Sequence, residues 1–151
     1  MAIEEIYREK ILQHYRNPQH FGELHQSNAQ SWEQENPLCG DHIRLMLHID
    51  NHKIQDIAFQ GAGCALCIAS ASMMCHLIHG LPVSEAAKIL YDVLEAFQGE
   101  SEILAAYGDL AAFQGVIPFP NRAKCVLLAW QTLELAIAEH HSIEETDTLN
   151  N

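Results

Sequence analysis

The stretch Ile43-Arg44-Leu45-Met46-Leu47-His48-Ile49, followed by Asp50-Asn51-His52-Lys53 and then by Ile54 to Gln60, decides the fold. Ile43, Leu45, Leu47 and Ile49 recur at every second position among mostly polar residues, the period of a half-buried strand. Asp50 to Lys53 read as a hairpin turn, and Ile54–Gln60 as the returning strand with Ile57 and Phe59 inward. An antiparallel pair follows.

Upstream, Ile3 to Tyr15 carries Ile6, Ile11 and Leu12 among charged residues and reads as a helix ending at Asn17-Pro18. His20 to Glu35 is polar and weakly patterned, with a short strand expected at Ser31–Glu35. Asn36-Pro37-Leu38-Cys39-Gly40-Asp41 is a turn-rich lead into the hairpin. Downstream, Gly61-Ala62-Gly63-Cys64 breaks the strand and a helix starts close to Cys64. Its small residues Ala69, Ser70, Ala71 and Ser72 allow close approach to another backbone, and Gly80 and Pro82 end it. Ser84 is expected to cap the next helix, with Ala86, Leu90, Val93, Leu94 and Phe97 on one face. Short helical pieces are expected between Gly99 and Gly115. Phe119-Pro120-Asn121 opens a last helix carrying Val126, Ala129, Trp130, Leu133 and Ile137.

No repeat or linker divides the chain, so residues 1–143 read as one domain and 144–151 as a polar, acidic, frayed tail. Of the 151 residues, 48% are hydrophobic, enough for a core, while no apolar run reaches the length of a membrane span. Twenty acidic against eight basic side chains give −12, a charge that phosphate backbones repel. Nucleic acid and membrane are therefore not expected as partners. The N-terminus has no basic stretch followed by an apolar one, which points to a cytoplasmic protein.

Five cysteines, an odd number, in a reducing compartment point to metal or catalytic use before a disulfide framework. Cys39 precedes the first clear strand, Cys64 follows the second, and Cys125 falls in the first turn of the last helix. Packing the hairpin on that helix brings all three to one end of the sheet, where Asp41 adds a carboxylate. Three thiolates and a carboxylate suit Zn²⁺ or the irons of a cluster. By spacing alone, three buried structural thiols remain an equal reading. Gly40 and Gly63 permit tight turns beside a bulky ligand. A helix N-terminus at Cys64, and Arg122 and Lys124 near Cys125, are expected to lower the thiol pKa values. Arg122 reads equally as a solvated side chain or as a cation supporting the site, and Lys124 somewhat more as a solvated one. Cys67 and Cys75 read as core thiols, Met73 and Met74 as packing, and His42 as pointing away from Asp41. His76, His79, His140 and His141 read as helix-end residues.

Cys39-Gly40-Asp41, Gly61-Ala62-Gly63-Cys64 with Ala69-Ser70-Ala71-Ser72-Met73-Met74, and Arg122-Ala123-Lys124-Cys125 with Leu128-Ala129-Trp130 together resemble the U-type iron–sulfur assembly proteins. This is the IscU and NifU N-terminal-domain family, and the resemblance runs from about Tyr7 to Ile137. The SUF (SufU-like) branch is the nearer match, on two grounds. Cys125 stands 61 positions after Cys64, a gap lengthened at Gly99–Gly115, and Lys124 replaces the histidine of the scaffold branch. The resemblance implies an α+β fold, a small antiparallel sheet of about three strands packed against helices. It also implies zinc held by Cys39, Asp41, Cys64 and Cys125, and Cys39 as acceptor of persulfide sulfur from a PLP-dependent cysteine desulfurase. In the other branch the same residues assemble a [2Fe–2S] cluster for apo iron–sulfur acceptor proteins. A structural zinc adapter is the third reading. Cys67 departs from the family pattern and creates a CxxC with Cys64, but the βαβ setting of a redox CxxC is missing. The chain is expected to relay sulfur with a desulfurase rather than act as a stand-alone enzyme, since it shows no nucleophile–base set or phosphate loop.

Overall fold

The alternating stretch folds as the hairpin it spells. In the computed structural model, which describes residues 2–150, β2 (Asp41–Asp50) turns through Asn51 and His52 into β3 (Lys53–Ala62). Both turn residues have positive φ, 57° and 63°, the backbone of a two-residue turn whose twist matches the strands it joins. Leu45 lies opposite Phe59 and Leu47 opposite Ile57, all four buried. The register shifts between His48 and Ile49, and Ile49 is only half-buried. On the other edge of β2, β1 (Gln30–Asn36) pairs antiparallel and contains the expected Ser31–Glu35. The sheet order is β1-β2-β3, an α+β arrangement.

Helix α1 (Ile3–Arg16) precedes the sheet, and α2 (Ala65–Ile78), α3 (Val83–Ala96) and α4 (Pro120–Asn150) follow it. Helices α2 and α4 pack on the strands and on each other, while α3 lies against α4 and a 3₁₀ segment over Ser101–Phe113. That segment kinks at Tyr107 and Gly108, matching the expectation of short helical pieces. Every residue from Cys67 to Cys75 on α2 is buried, so this helix is apolar all round and sits centrally. Cys67 and Cys75 are core residues, with no exposed surface. No residue of α1 is buried. It is held down by His14, whose Nδ1 lies 2.8 Å from Ser72 Oγ and whose Nε2 lies 3.0 Å from Asp109 Oδ2.

Three expectations are corrected. Ser84 does not cap α3: the N-cap position is Pro82, whose C=O accepts the N–H groups of Glu85 and Ala86. The first helical N–H, that of Val83, is already taken by the His52 C=O of the hairpin turn, so the helix begins one step earlier than its hydroxyl. Helix α4 opens at Pro120, a residue suited to a first helical position because it has no N–H to satisfy. Cys125 therefore falls in its second turn and not its first. The backbone also stays helical to Asn150, through most of the stretch read as a frayed tail; Met1 and Asn151 lie outside the described residues. No helix among the described residues is long and apolar enough to cross a membrane.

The segment between α1 and β1 is clipped to β3 at His20, whose C=O accepts the Phe59 N–H at 3.0 Å. Its ring meets that of His79 edge-on, with centroids 4.8 Å apart. Burial, then the neighbouring His79 and His76, hold its pKa below the ordinary 6.5, against a smaller opposing hydrogen bond to the Ile57 backbone. In the window below 6.5 the unfolded chain binds the His20 proton more readily than the folded one, so acidification costs stability there. Urea titrations of wild type and His20→Asn between pH 7.5 and 5.5 should show the wild type losing its margin as pH falls; a margin constant over that range would refute this role for His20.

Candidate metal centre

The site forms where three elements end together. Cys39 sits on the turn before β2, which closes through a 2.8 Å bond from the Gly40 N–H to the Asn36 C=O. Asp41 is the first residue of β2, Cys64 is the N-cap of α2, and Cys125 is on α4. The hairpin register and the packing of α2 and α4 thus bring residues distant in sequence to one point. The ligand atoms of Cys39, Asp41 and Cys125 all lie within 4.8 Å of one another, and the Sγ atoms of Cys39 and Cys125 are 3.9 Å apart. Cys64 joins through the carboxylate: its N–H donates to Asp41 Oδ1 at 3.0 Å, and its thiol lies 3.8 Å from Oδ2. Cys39 and Cys64 are exposed, whereas Asp41 and Cys125 are buried.

Asp41 is 1% exposed, yet among the described residues no cationic side chain pairs with it; its partners are thiols and the Cys64 N–H. Burial raises its pKa, but hydrogen bonds from the Cys125 and Cys39 thiols, the Cys64 N–H and the Cys64 thiol outweigh that and leave it below the usual carboxylate range. A buried, ionised carboxylate surrounded by thiols is short of positive charge, and a thiophilic divalent cation is the group this donor set fits.

The Cys125 thiol departs from the expectation of a lowered pKa. Burial first, then the hydrogen bonds its thiol shares with the Asp41 carboxylate, as donor, and with Cys64, and then their charges, push the Cys125 thiol up. Arg122 and Lys124 do not reverse this, because both are exposed, and the Arg122 guanidinium stacks 5.2 Å above the Phe119 ring. The Cys67 thiol is likewise pushed up, by burial and then by Asp41, Cys64 and Cys39, and packs in the core. His42 points away from Asp41, as strand alternation requires, with Nε2 3.7 Å from Glu33.

Of the residues singled out in the sequence, Cys39, Asp41 and Cys125 come together with Cys64 beside them, and Gly63 does more than permit a tight turn. Gly63 has φ +155°, and a Cβ there would fall 2.3 Å from Asp41 Oδ1. The space it leaves is filled by the carboxylate, so the Asp41–Cys64 hydrogen bond requires glycine. Gly63→Ala should displace Asp41 and weaken Zn²⁺ or Co²⁺ binding by about ten- to a hundredfold, the range for residues that orient metal ligands. Competition titration against a chromophoric chelator reads this directly, and unchanged affinity would show that Asp41 needs no such room.

Comparison with known proteins agrees with this geometry. The profile of the family described as NifU-like N terminal domain matches residues 6–147. The chain is 38% identical over 140 residues to the zinc-dependent sulfurtransferase SufU of Bacillus subtilis, covering 91% of this chain and 92% of the relative. It is 36% identical over 136 residues to the iron–sulfur cluster assembly scaffold protein IscU of Streptococcus pyogenes, covering 89% and 84%. Among solved structures, it superposes with a TM-score of 0.77 on a putative iron–sulfur cluster assembly scaffold protein for the SUF system from Fervidobacterium islandicum. That pair is 32% identical, and the match covers 90% of this chain and 99% of the other. A two-thiol, one-carboxylate centre at the end of a three-stranded sheet, in a chain matched almost from end to end, places this protein in the NifU-like N-terminal domain family.

Proposed function

We propose that this chain is a zinc-bound sulfur acceptor of iron–sulfur cluster assembly, working in the cytoplasm with a PLP-dependent cysteine desulfurase. The observation that carries the reading is the convergence of Cys39, Asp41 and Cys125 within 4.8 Å, with Cys64 bonded to the same carboxylate. The relative named a zinc-dependent sulfurtransferase supports it. Cys39, Asp41, Cys64 and Cys125 would hold the ion, and bound zinc would keep the thiols as thiolates.

Cys39 is the acceptor, because it is exposed on a turn rather than anchored in a helix. Its thiolate attacks the outer sulfur of the desulfurase persulfide; a new S–S bond forms at Cys39, the old one breaks, and the desulfurase cysteine leaves as thiolate. Asp41, fixed by the Cys64 N–H, keeps its place while Cys39 moves. Arg122 and Lys124, exposed on the opening turns of α4, would supply positive charge beside the departing thiolate. The PLP chemistry belongs to the partner.

A second reading, a scaffold that builds a [2Fe–2S] cluster on these residues for apo acceptor proteins, is favoured by the 36% identical relative named a scaffold. The two separate cleanly. Protein purified without chelators should hold about one zinc per chain by elemental analysis and raise desulfurase turnover severalfold, and Cys39→Ala should abolish that stimulation. A chain that takes up a visible cluster anaerobically, transfers it to an apo-ferredoxin and never stimulates a desulfurase would favour the scaffold. If Cys39→Ala lowers stability but leaves sulfur transfer intact, the metal serves only the fold.

A further inference from the structure

Six residues after Cys64, Ser70 lies on α2 with no exposed surface. Its hydroxyl donates to the Val126 C=O at 2.6 Å and accepts the indole N–H of the fully buried Trp130 at 3.1 Å. Val126 adjoins Cys125, so this hydroxyl ties the helix that begins at Cys64 to the helix that carries Cys125, one residue from the ligand.

Small side chains flank it: Ala69 and Ala71 on α2, and Ala129 next to Trp130 on α4, are all fully buried. Small side chains let helices approach closely, and a polar contact between them gives that approach a stop along the helix axis. The hydroxyl supplies that stop, because any slide strands the Trp130 N–H in a dry interior where an unpaired donor is costly. A slide of one residue moves Cys64 by about 1.5 Å relative to Cys125. That far exceeds the roughly 0.2 Å tolerance of metal–ligand distances.

We infer that Ser70 is a positioning residue for the metal centre, its hydroxyl setting the spacing of Cys64 from Cys125 through Val126 and Trp130. This rests on the four-ligand zinc site proposed above. Ser72 provides the control. It too is fully buried on α2, but its hydroxyl faces α1, where it meets His14 and accepts the Gln19 N–H at 2.7 Å. Both serine-to-alanine changes remove one buried hydroxyl from the same helix, and only one of those hydroxyls reaches α4.

The test measures zinc affinity by chelator competition, and the Co²⁺ absorption spectrum, for wild type, Ser70→Ala and Ser72→Ala, with thermal melting alongside. Ser70→Ala should weaken zinc about tenfold or more and alter the thiolate-to-cobalt band, while Ser72→Ala melts earlier but stays within about twofold of wild type. If Ser70→Ala does not fold, Trp130→Phe, which removes the indole donor, takes its place and should weaken zinc about threefold or more. Equal affinity in the Ser70 or Trp130 variant and wild type, or an equal loss in Ser72→Ala, overturns the positioning role and leaves the zinc site standing. A wild-type chain that binds no zinc overturns both.

Discussion

The centre depends on one hydrogen bond, from the Cys64 N–H to Asp41 Oδ1. It joins the start of β2 to the start of α2, and so couples the sheet to the helix at the point where the ligands meet. Cys64 as N-cap makes no side-chain hydrogen bond to its helix; a carboxylate from another element occupies the helix N-terminus instead. That end of a helix favours an anion by about 1 kcal/mol, and somewhat more when partly buried. With Oδ1 committed to the backbone, Oδ2 is the oxygen turned toward the thiols. Gly63 is the covalent consequence, the one residue type that leaves the carboxylate room.

The same carboxylate organises the electrostatics. Burial, and after it the hydrogen bond and charge shared with Asp41, push the Cys125 thiol up, while the Cys125 and Cys39 thiols and then the Cys64 N–H pull Asp41 down. The positive side chains nearest in sequence cannot compensate, because they face solvent and Arg122 is engaged with Phe119. Cys67 and Cys75 are thiols buried without exposed surface in the core; Cys39, Asp41 and Cys125 differ from them in gathering donor atoms that could hold a metal ion.

The hairpin was legible because alternation is a local property, and β2 and β3 carry it almost without interruption. The burial of Cys67 and Cys75 was legible for the same reason, since α2 is apolar on every side. Cys39 and Cys64 stood out among five thiols because each lies at an element boundary, with Asp41 two residues from the first; Cys125 was placed at a helix start that the structure puts one turn earlier. The rest depended on contacts between elements. Ser84 lost its capping role because the chain is already helical at Val83, whose N–H is held by the His52 carbonyl, a contact that no local pattern encodes. The direction of the Cys125 shift was misjudged by counting charges in sequence, where Arg122 and Lys124 are near; in the fold burial dominates, with Asp41 as the charged neighbour.

Ser70 illustrates the same limit from the other side. Its small size was readable as a close helix approach, but its hydroxyl acquires meaning only when Trp130 and Val126 are brought against it from sixty and fifty-six positions away. A site assembled from three chain ends needs more than donors of the right kind; it needs the elements bearing them fixed along their axes. In this chain the sheet end is fixed by the Asp41 carboxylate and the helix pair by the Ser70 hydroxyl. Cys39 stands on the turn before β2, exposed, and reaches the same carboxylate only through its thiol.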